Sequence, residues 1–256
     1  VGAAEASDVA RRTSDADGDV GRVVLGLDGC PSGWVAVTLT GGRVSDVAVV
    51  EAAVDAIGRS GAHLVGVDMP VGLVDGARDT DAAARRLLPG RASSVFSTAP
   101  LAVVRGHRDG SITDHATASE VTRRVSGMGL SQQAWRLVPK MAEVDDLARS
   151  SRRDGGLDLR EVHPELAFAT VAGAPLPRKR SWAGVEARRS LLARLGLMLP
   201  ERFPGDAAAA PDDVLDAAIC AWVVDGIALG GDVGTVPPTT RQRAHGRPIV
   251  IHVRRS

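Results

Sequence analysis

The stretch Val23-Val24-Leu25-Gly26-Leu27-Asp28-Gly29-Cys30-Pro31-Ser32-Gly33-Trp34 decides how the rest of the chain is read. Five apolar or glycine residues run into Asp28, and two glycines, a proline and a serine then turn the backbone. The apolar run predicts a buried strand. A carboxylate at the end of such a strand costs several kcal/mol unless it is paired, hydrogen-bonded or bound to a metal. Gly29 and Gly33 leave the backbone beside it open to close approach. The same pattern also fits an aspartate that caps a turn.

Working outward, Trp34–Leu39 predicts a second strand, Gly41-Gly42 a hairpin turn, Arg43–Val50 a third strand and Glu51–Arg59 a short helix stopped at Gly61. The fourth strand, His63–Pro70, repeats the first: apolar residues, then Asp68, then Pro70 and Gly72 to turn the chain away. A meander followed by a right-handed helical crossover sets the fourth strand parallel to the first. Asp28 and Asp68 then meet at one edge of the sheet. Two carboxylates placed together repel, so one takes a proton or a divalent cation joins them. Magnesium suits such a site because it takes oxygen ligands and retains waters. The other reading has each aspartate satisfied separately by backbone amides.

Residues 75–155 read as mostly helical and irregular: helices over Thr80–Leu88, Thr113–Val125 and Ala142–Arg149, with Ser150–Gly156 as a polar turn or hinge. Between them, Gly90–Thr98 has hydroxyls and an arginine without helical period, a composition that holds phosphate as well as it makes an ordinary polar loop. Arg136 and Lys140, four apart, share a helix face. Leu157–Val162 predicts a fifth strand that again ends in a carboxylate, Glu161, before Pro164. His163 fits either a ligand or proton shuttle or a hydrogen-bonded structural histidine. Glu165 opens the next helix, Leu166–Ala172, where it complements the dipole.

Trp182–Leu195 predicts an amphipathic helix, and Pro211 with Asp212 and Asp213 marks the start of the last one. On that helix Val214, Leu215, Ala218, Ile219 and Trp222 form an apolar stripe at 100° per residue. Asp216 falls beside the stripe and is aimed at the sheet edge. Asp213 falls nearly opposite, where a metal is within reach only through water.

Composition bounds the function. The chain has 256 residues, 44% hydrophobic, with 31 basic and 31 acidic side chains, enough for one large domain with a real core and no overall bias toward nucleic acid. The charge is uneven, however: residues 78–160 hold 14 basic against 10 acidic groups, and such a segment fits a phosphate backbone or a solvated surface. Cys30 and Cys220 are the only cysteines and form no CxxC pair, which argues against a zinc site or a disulfide framework. No leader-like segment and no apolar run of ~20 residues is present. No membrane partner and a cytoplasmic location are therefore expected. Residues 1–20 have little apolar period and predict a disordered tail ahead of a single domain over residues 21–256.

Taken together, Gly26-Leu27-Asp28-Gly29 with Gly33-Trp34, Asp68-Met69-Pro70-Val71-Gly72, Arg91–Phe96, Arg160-Glu161-Val162-His163-Pro164-Glu165 and Asp213-Val214-Leu215-Asp216-Ala217 resemble the DUF429 family of predicted RNase H-like nucleases, over roughly residues 23–230. The last motif is also similar to the acidic helical motif of RuvC-type Holliday-junction resolvases. The resemblance implies an α/β, ribonuclease H-like fold: a mixed five-stranded sheet of order 3-2-1-4-5 flanked by helices, with a helical insertion after strand 4. It implies Asp28, Asp68, Glu161 and Asp216 as catalytic acids, with Asp28, Asp68, Asp213 and Asp216 as ligands of Mg2+ or Mn2+. A two-metal hydrolysis of phosphodiester bonds is expected, Asp28 bridging the ions and Glu161 a further ligand or water-orienting group. Arg91, Ser93, Ser94 and Lys140 are expected to contact the phosphate of a nucleic-acid or nucleotide substrate. A nucleotide-binding or non-catalytic module of the same fold is the alternative. Actin-like or sugar-kinase-like phosphotransfer ranks lower, because it needs a second βββαβ set and the chain has no internal repeat.

Overall fold

The computed structural model describes residues 21–154 and 156–255. The predicted disordered tail, residues 1–20, lies outside the described residues. Five strands form the central sheet in the order β3-β2-β1-β4-β5: β1 (Val23–Cys30), β2 (Gly33–Thr40), β3 (Arg43–Val50), β4 (Leu64–Val67) and β5 (Asp158–Glu161). β1–β2 and β2–β3 are antiparallel; β1–β4 and β4–β5 are parallel. This is the mixed α/β sheet the sequence predicts, joined between β3 and β4 by α1 (Ala53–Ser60), which ends at Gly61 in the left-handed conformation.

Between β4 and β5 come α2 (Asp79–Leu87), α3 (Leu101–Arg108), α4 (His115–Ser126) and α5 (Gln132–Asp154). After β5 follow α6 (Pro164–Ala172), α7 (Trp182–Arg194) and α8 (Pro211–Ala228). Two small ladders close the chain: β6 (Val233–Val236) with β9 (Ile251–Arg254), and β7 (Arg243–Ala244) with β8 (Arg247–Pro248). Two local expectations are corrected, and α3 is a helix the sequence reading did not anticipate. α5 runs through Pro139 and on to Asp154, so the first part of the predicted Ser150–Gly156 turn is helix, with the Ser150 hydroxyl donating to Asp146 O at 2.8 Å. The apolar Ile249-Val250-Ile251 stretch, which by composition predicts a short strand, enters one only at Ile251.

Strand alternation divides the core in two. Leu25, Leu27, Val65, Val67 and Leu159 join the cluster that packs under α1 and α3–α5. Val24, Val35, Val37 and Leu39 join the cluster under α6, α7 and α8. By the same alternation Gly26 and Asp28 face α8, as do Gly66 and Asp68. The pairing register sets Gly26 beside Gly66.

These two glycines seat α8. A Cβ on Gly26 would lie 2.0 Å from Ala217 O and 2.4 Å from Ala221 N, and one on Gly66 would lie 2.5 Å from Cys220 O. The side of α8 that meets the sheet is therefore Ala217, Cys220, Ala221 and Val224 rather than the predicted stripe of larger residues. Nearly the whole helix is buried, with α6 and α7 packed against its other sides. Small residues face the sheet because the helix backbone itself rests on the glycines.

Replacing Gly26 with alanine is expected to cost about 3 kcal/mol or more, since helix backbone and not a flexible side chain is in the way. Gly58→Ala, inside α1 with open space around it, should be neutral or stabilise by up to about 1 kcal/mol. Urea denaturation of the two variants measures the contrast.

Candidate metal centre

The floor of the site is built by that seating. Asp28 and Asp68 each lie two residues beyond a glycine of the pair, a distance of about 6.6 Å along a strand. Asp216 lies one helical turn before Cys220, about 6 Å along α8 in the opposite sense. The match in length delivers all three side chains to one place: a carboxylate oxygen of Asp28, of Asp68 and of Asp216 lie within 4.8 Å of one another. Asp28 and Asp216 are 6% and 2% exposed, so water hardly compensates their charge.

Burial pushes Asp28 well above the usual carboxylate range, with Asp68 and Asp216 adding to the rise. Burial also pushes Asp68 up to about 6, against the pull of Lys179 and of a hydrogen bond with Asp28. Asp216 is likewise pushed up to about 6 by burial, and Lys179 again opposes the shift. Burial thus raises the proton affinity of all three acids, and one lysine opposes the rise. Lys179 Nζ is 2.5 Å from Asp216 Oδ2 and 3.7 Å from Asp212 Oδ2. Burial works against the charge on Lys179, but Asp216, Asp28 and Asp68 outweigh it and the ammonium is held more firmly than in water.

The acids sit at the base of a cleft of about 1090 Å³. One wall is α5, which contributes Gln132, Arg136 and Lys140; the other includes His163, Lys179 and Arg180. Lys140 donates from Nζ to Gly33 O at 2.5 Å and lies over the Trp34 ring, while its stem fills the space that a side chain on Gly29 would take. Arg136 is exposed, on the same face as Lys140, as the spacing predicts.

Of the other expected site residues, Asp213 and Ser94 line the same cleft, while Glu161, Arg91 and Ser93 do not. Glu161 belongs to a separate network: Arg78 holds both of its carboxylate oxygens, and Val71 N donates to Oε2 at 2.7 Å. The register gives the reason. Glu161 pairs with Val67, not with Asp68, so it points to the opposite face of the sheet from the three aspartates. There it compensates Arg78, itself buried, together with Asp81 and Thr98. Asp213 lies outside the triad, its Oδ2 3.4 Å from Ala210 N at the start of α8. Burial, with Asp212 beside it, raises its pKa.

In the loop expected to hold phosphate, Arg91 donates to Leu176 O at 2.8 Å, and the Ser94 hydroxyl donates to Arg91 O at 2.7 Å. Ser94 lines the cleft; Ser93 is exposed and does not. His163 accepts from Leu166 N at 3.3 Å through Nδ1, capping α6, and burial lowers its pKa. Glu165 pairs with the wholly buried Arg188 at 2.6 Å. Lys179 escaped the sequence reading. The one signal was compositional: Lys140 and Lys179 are the only lysines in the chain.

A family model described as "Protein of unknown function (DUF429)" matches residues 26–241. The chain belongs to the DUF429 family. The matched range of this DUF429 protein includes Asp28, Asp68 and Asp216. No curated protein and no solved structure matches the chain. No helix among the described residues is long and apolar enough to cross a membrane.

Two predictions follow from these charges. Asp68 binds its proton up to about pH 6 in the folded protein but only to about pH 4 when unfolded. The folded state therefore holds the extra proton, and stability falls as pH rises through that window. Without metal, wild type should lose stability relative to Asp68→Asn between pH 4 and pH 6, read by urea midpoints across the range. Glu161→Gln should lower stability by about 3 kcal/mol, because it leaves buried Arg78 under-compensated. A Glu161→Gln variant of wild-type stability would contradict the structural role.

Proposed function

We propose that this protein is a metal-dependent phosphodiester hydrolase, a nuclease of ribonuclease H-like architecture. The observation that carries the reading is the convergence of Asp28, Asp68 and Asp216 within 4.8 Å at the floor of a cleft with arginine and lysine on its walls. The donor set is all oxygen, which fits a hard cation such as Mg2+ or Mn2+ rather than zinc. A divalent cation held there supplies Lewis-acid polarisation of a phosphate oxygen and a more acidic water.

The chain's own residues do the rest. Asp28, Asp68 and Asp216, as carboxylates, would hold the cation, with Asp213 and Asp212 in the same cleft as further negative charge. Arg136 and Arg180, which both line the cleft, would hold the phosphodiester backbone, Arg180 from 3.5 Å off Asp212 Oδ2, and Ser94 would add a hydroxyl. Lys140 fixes the α5 wall against Trp34 and Gly33. His163, occupied at Nδ1, caps α6 and so fixes the start of the other wall. Arg91 acts through Leu176 and Glu161 through Arg78, and both hold elements in place rather than touch substrate. A phosphotransferase of the actin or sugar-kinase kind is not favoured: among the described residues the remaining sheets are two-stranded.

One observation favours a second reading. The Lys179 ammonium on Asp216 suits a non-catalytic module that binds an anionic ligand beside neutralised acids. A cleavage assay separates the two. Wild type with Mg2+ or Mn2+ is expected to cut at least one of a panel of single-stranded and duplex DNA and RNA, and Asp28→Asn should be slower by about a hundredfold or more. Equal rates for the two proteins would overturn the nuclease reading. Binding of the panel without cleavage would favour the module.

A further inference from the structure

The chain uses arginine for its basic side chains almost throughout, and its two lysines, Lys140 and Lys179, both line the cleft. Lys140 is committed to Gly33 O and the face of Trp34. Lys179 is committed to acid: Nζ donates to Asp216 Oδ2 at 2.5 Å and lies 3.7 Å from Asp212 Oδ2. It reaches there from the connection between α6 and α7.

The backbone of that connection is pinned on both sides of Lys179. Leu176 O accepts from Arg91, and Pro177 O accepts from Arg188 Nη1. Arg178 O accepts from the Ser181 amide at 2.9 Å and from the Ser181 hydroxyl at 2.7 Å. Ser181 in turn caps α7 at Gly184 N. The Lys179 side chain is held at its tip, on a carboxylate that is 2% exposed, while the side chain as a whole is 37% exposed.

We propose that Lys179 is an exchangeable counter-ion, which compensates the acid cluster through Asp216 and gives way to a divalent cation by rotation of its own side chain. The inference rests on reading the cluster as a metal site, and it adds how that site is held when no metal is bound. A single ammonium, in contact with Asp216 alone of the three gathered carboxylates, leaves them under-compensated, and a divalent cation among them would compensate them more fully. A divalent cation bound to Asp216 would repel the ammonium at hydrogen-bond distance from Asp216 Oδ2 and weaken the lysine's hold there. The pinned backbone confines the change to side-chain torsions, which is cheap. Lysine suits the task better than arginine: its charge is compact and its stem flexible, whereas a guanidinium forms a fixed planar fork that holds carboxylates bidentately. The displaced ammonium turns into the cleft, next to Arg180, as an added positive charge for a phosphate.

The test uses the full chain and Mn2+ alone, followed by electron paramagnetic resonance. Lys179→Met is expected to bind Mn2+ about tenfold or more tightly than wild type, since a charged hydrogen bond no longer competes. Lys179→Arg keeps a competing charge and should not show the gain. A second measurement needs only wild type and guards against a variant that fails to fold. Acylation of lysines by a small amine-reactive ester, read by mass spectrometry with Lys140 as internal reference, should label Lys179 faster in Mn2+-saturated protein than in metal-free protein. Manganese binding to wild type with no gain in Lys179→Met and no change in Lys179 labelling would overturn the exchange and leave the metal-site reading standing. No Mn2+ binding by either protein would overturn both.

Discussion

The structure depends on bare backbone at two points. Gly26 and Gly66 lie side by side in adjacent parallel strands, and α8 rests directly on them. Any side chain there would hold the helix off the sheet, because the nearest atoms are its own peptide groups. That contact sets the height of Asp216 above the sheet. The repeat lengths of strand and helix then set where it falls: two strand residues and one helical turn cover nearly the same distance, so the third carboxylate arrives over the first two. A packing constraint between small residues thereby becomes a statement about charge.

Gathering the charge creates a tension that the protein resolves in two different ways on the two faces of the sheet. On the face away from α8, Glu161 and Asp81 meet buried Arg78, and Val71 and Thr98 complete the hydrogen bonds. Nearly every polar atom there is answered within the chain; Arg78 Nε is the exception. On the α8 face the acids outnumber the cations that reach them. Lys179 answers Asp216 directly, while burial raises the proton affinity of all three aspartates. The first arrangement is self-sufficient and stabilises the fold. The second is incomplete, and incompleteness at the base of an open cleft is what a cation-binding site requires.

Much of this was legible in the sequence because it follows from local pattern. Apolar runs that stop at Asp28 and Asp68, a hairpin at Gly41-Gly42 and a short helix stopped at Gly61 prescribe the meander, the parallel fourth strand and the meeting of two aspartates, while the full sheet order came from the family resemblance. Asp216 could be aimed at the same edge from helical periodicity, although the stripe used to orient the helix was not the side that meets the sheet. What was not legible depends on register and on long-range partners. Glu161 has the same local signature as the other strand-end acids, yet a one-residue difference in pairing turns it to the opposite face. The Arg91 loop has the composition of a phosphate loop, but its arginine is drawn to a carbonyl 85 residues further along. Lys179 lies in a basic turn with no periodicity at all, and only the folded chain brings it to an aspartate 37 residues away.

The central claim is that Asp28, Asp68 and Asp216 together hold a divalent cation. Anomalous scattering from a crystal soaked in manganese tests it most directly. The account predicts a peak bonded to carboxylate oxygens of these three residues. A manganese-soaked crystal with no peak among them, or with ordered manganese only at other positions, would contradict it.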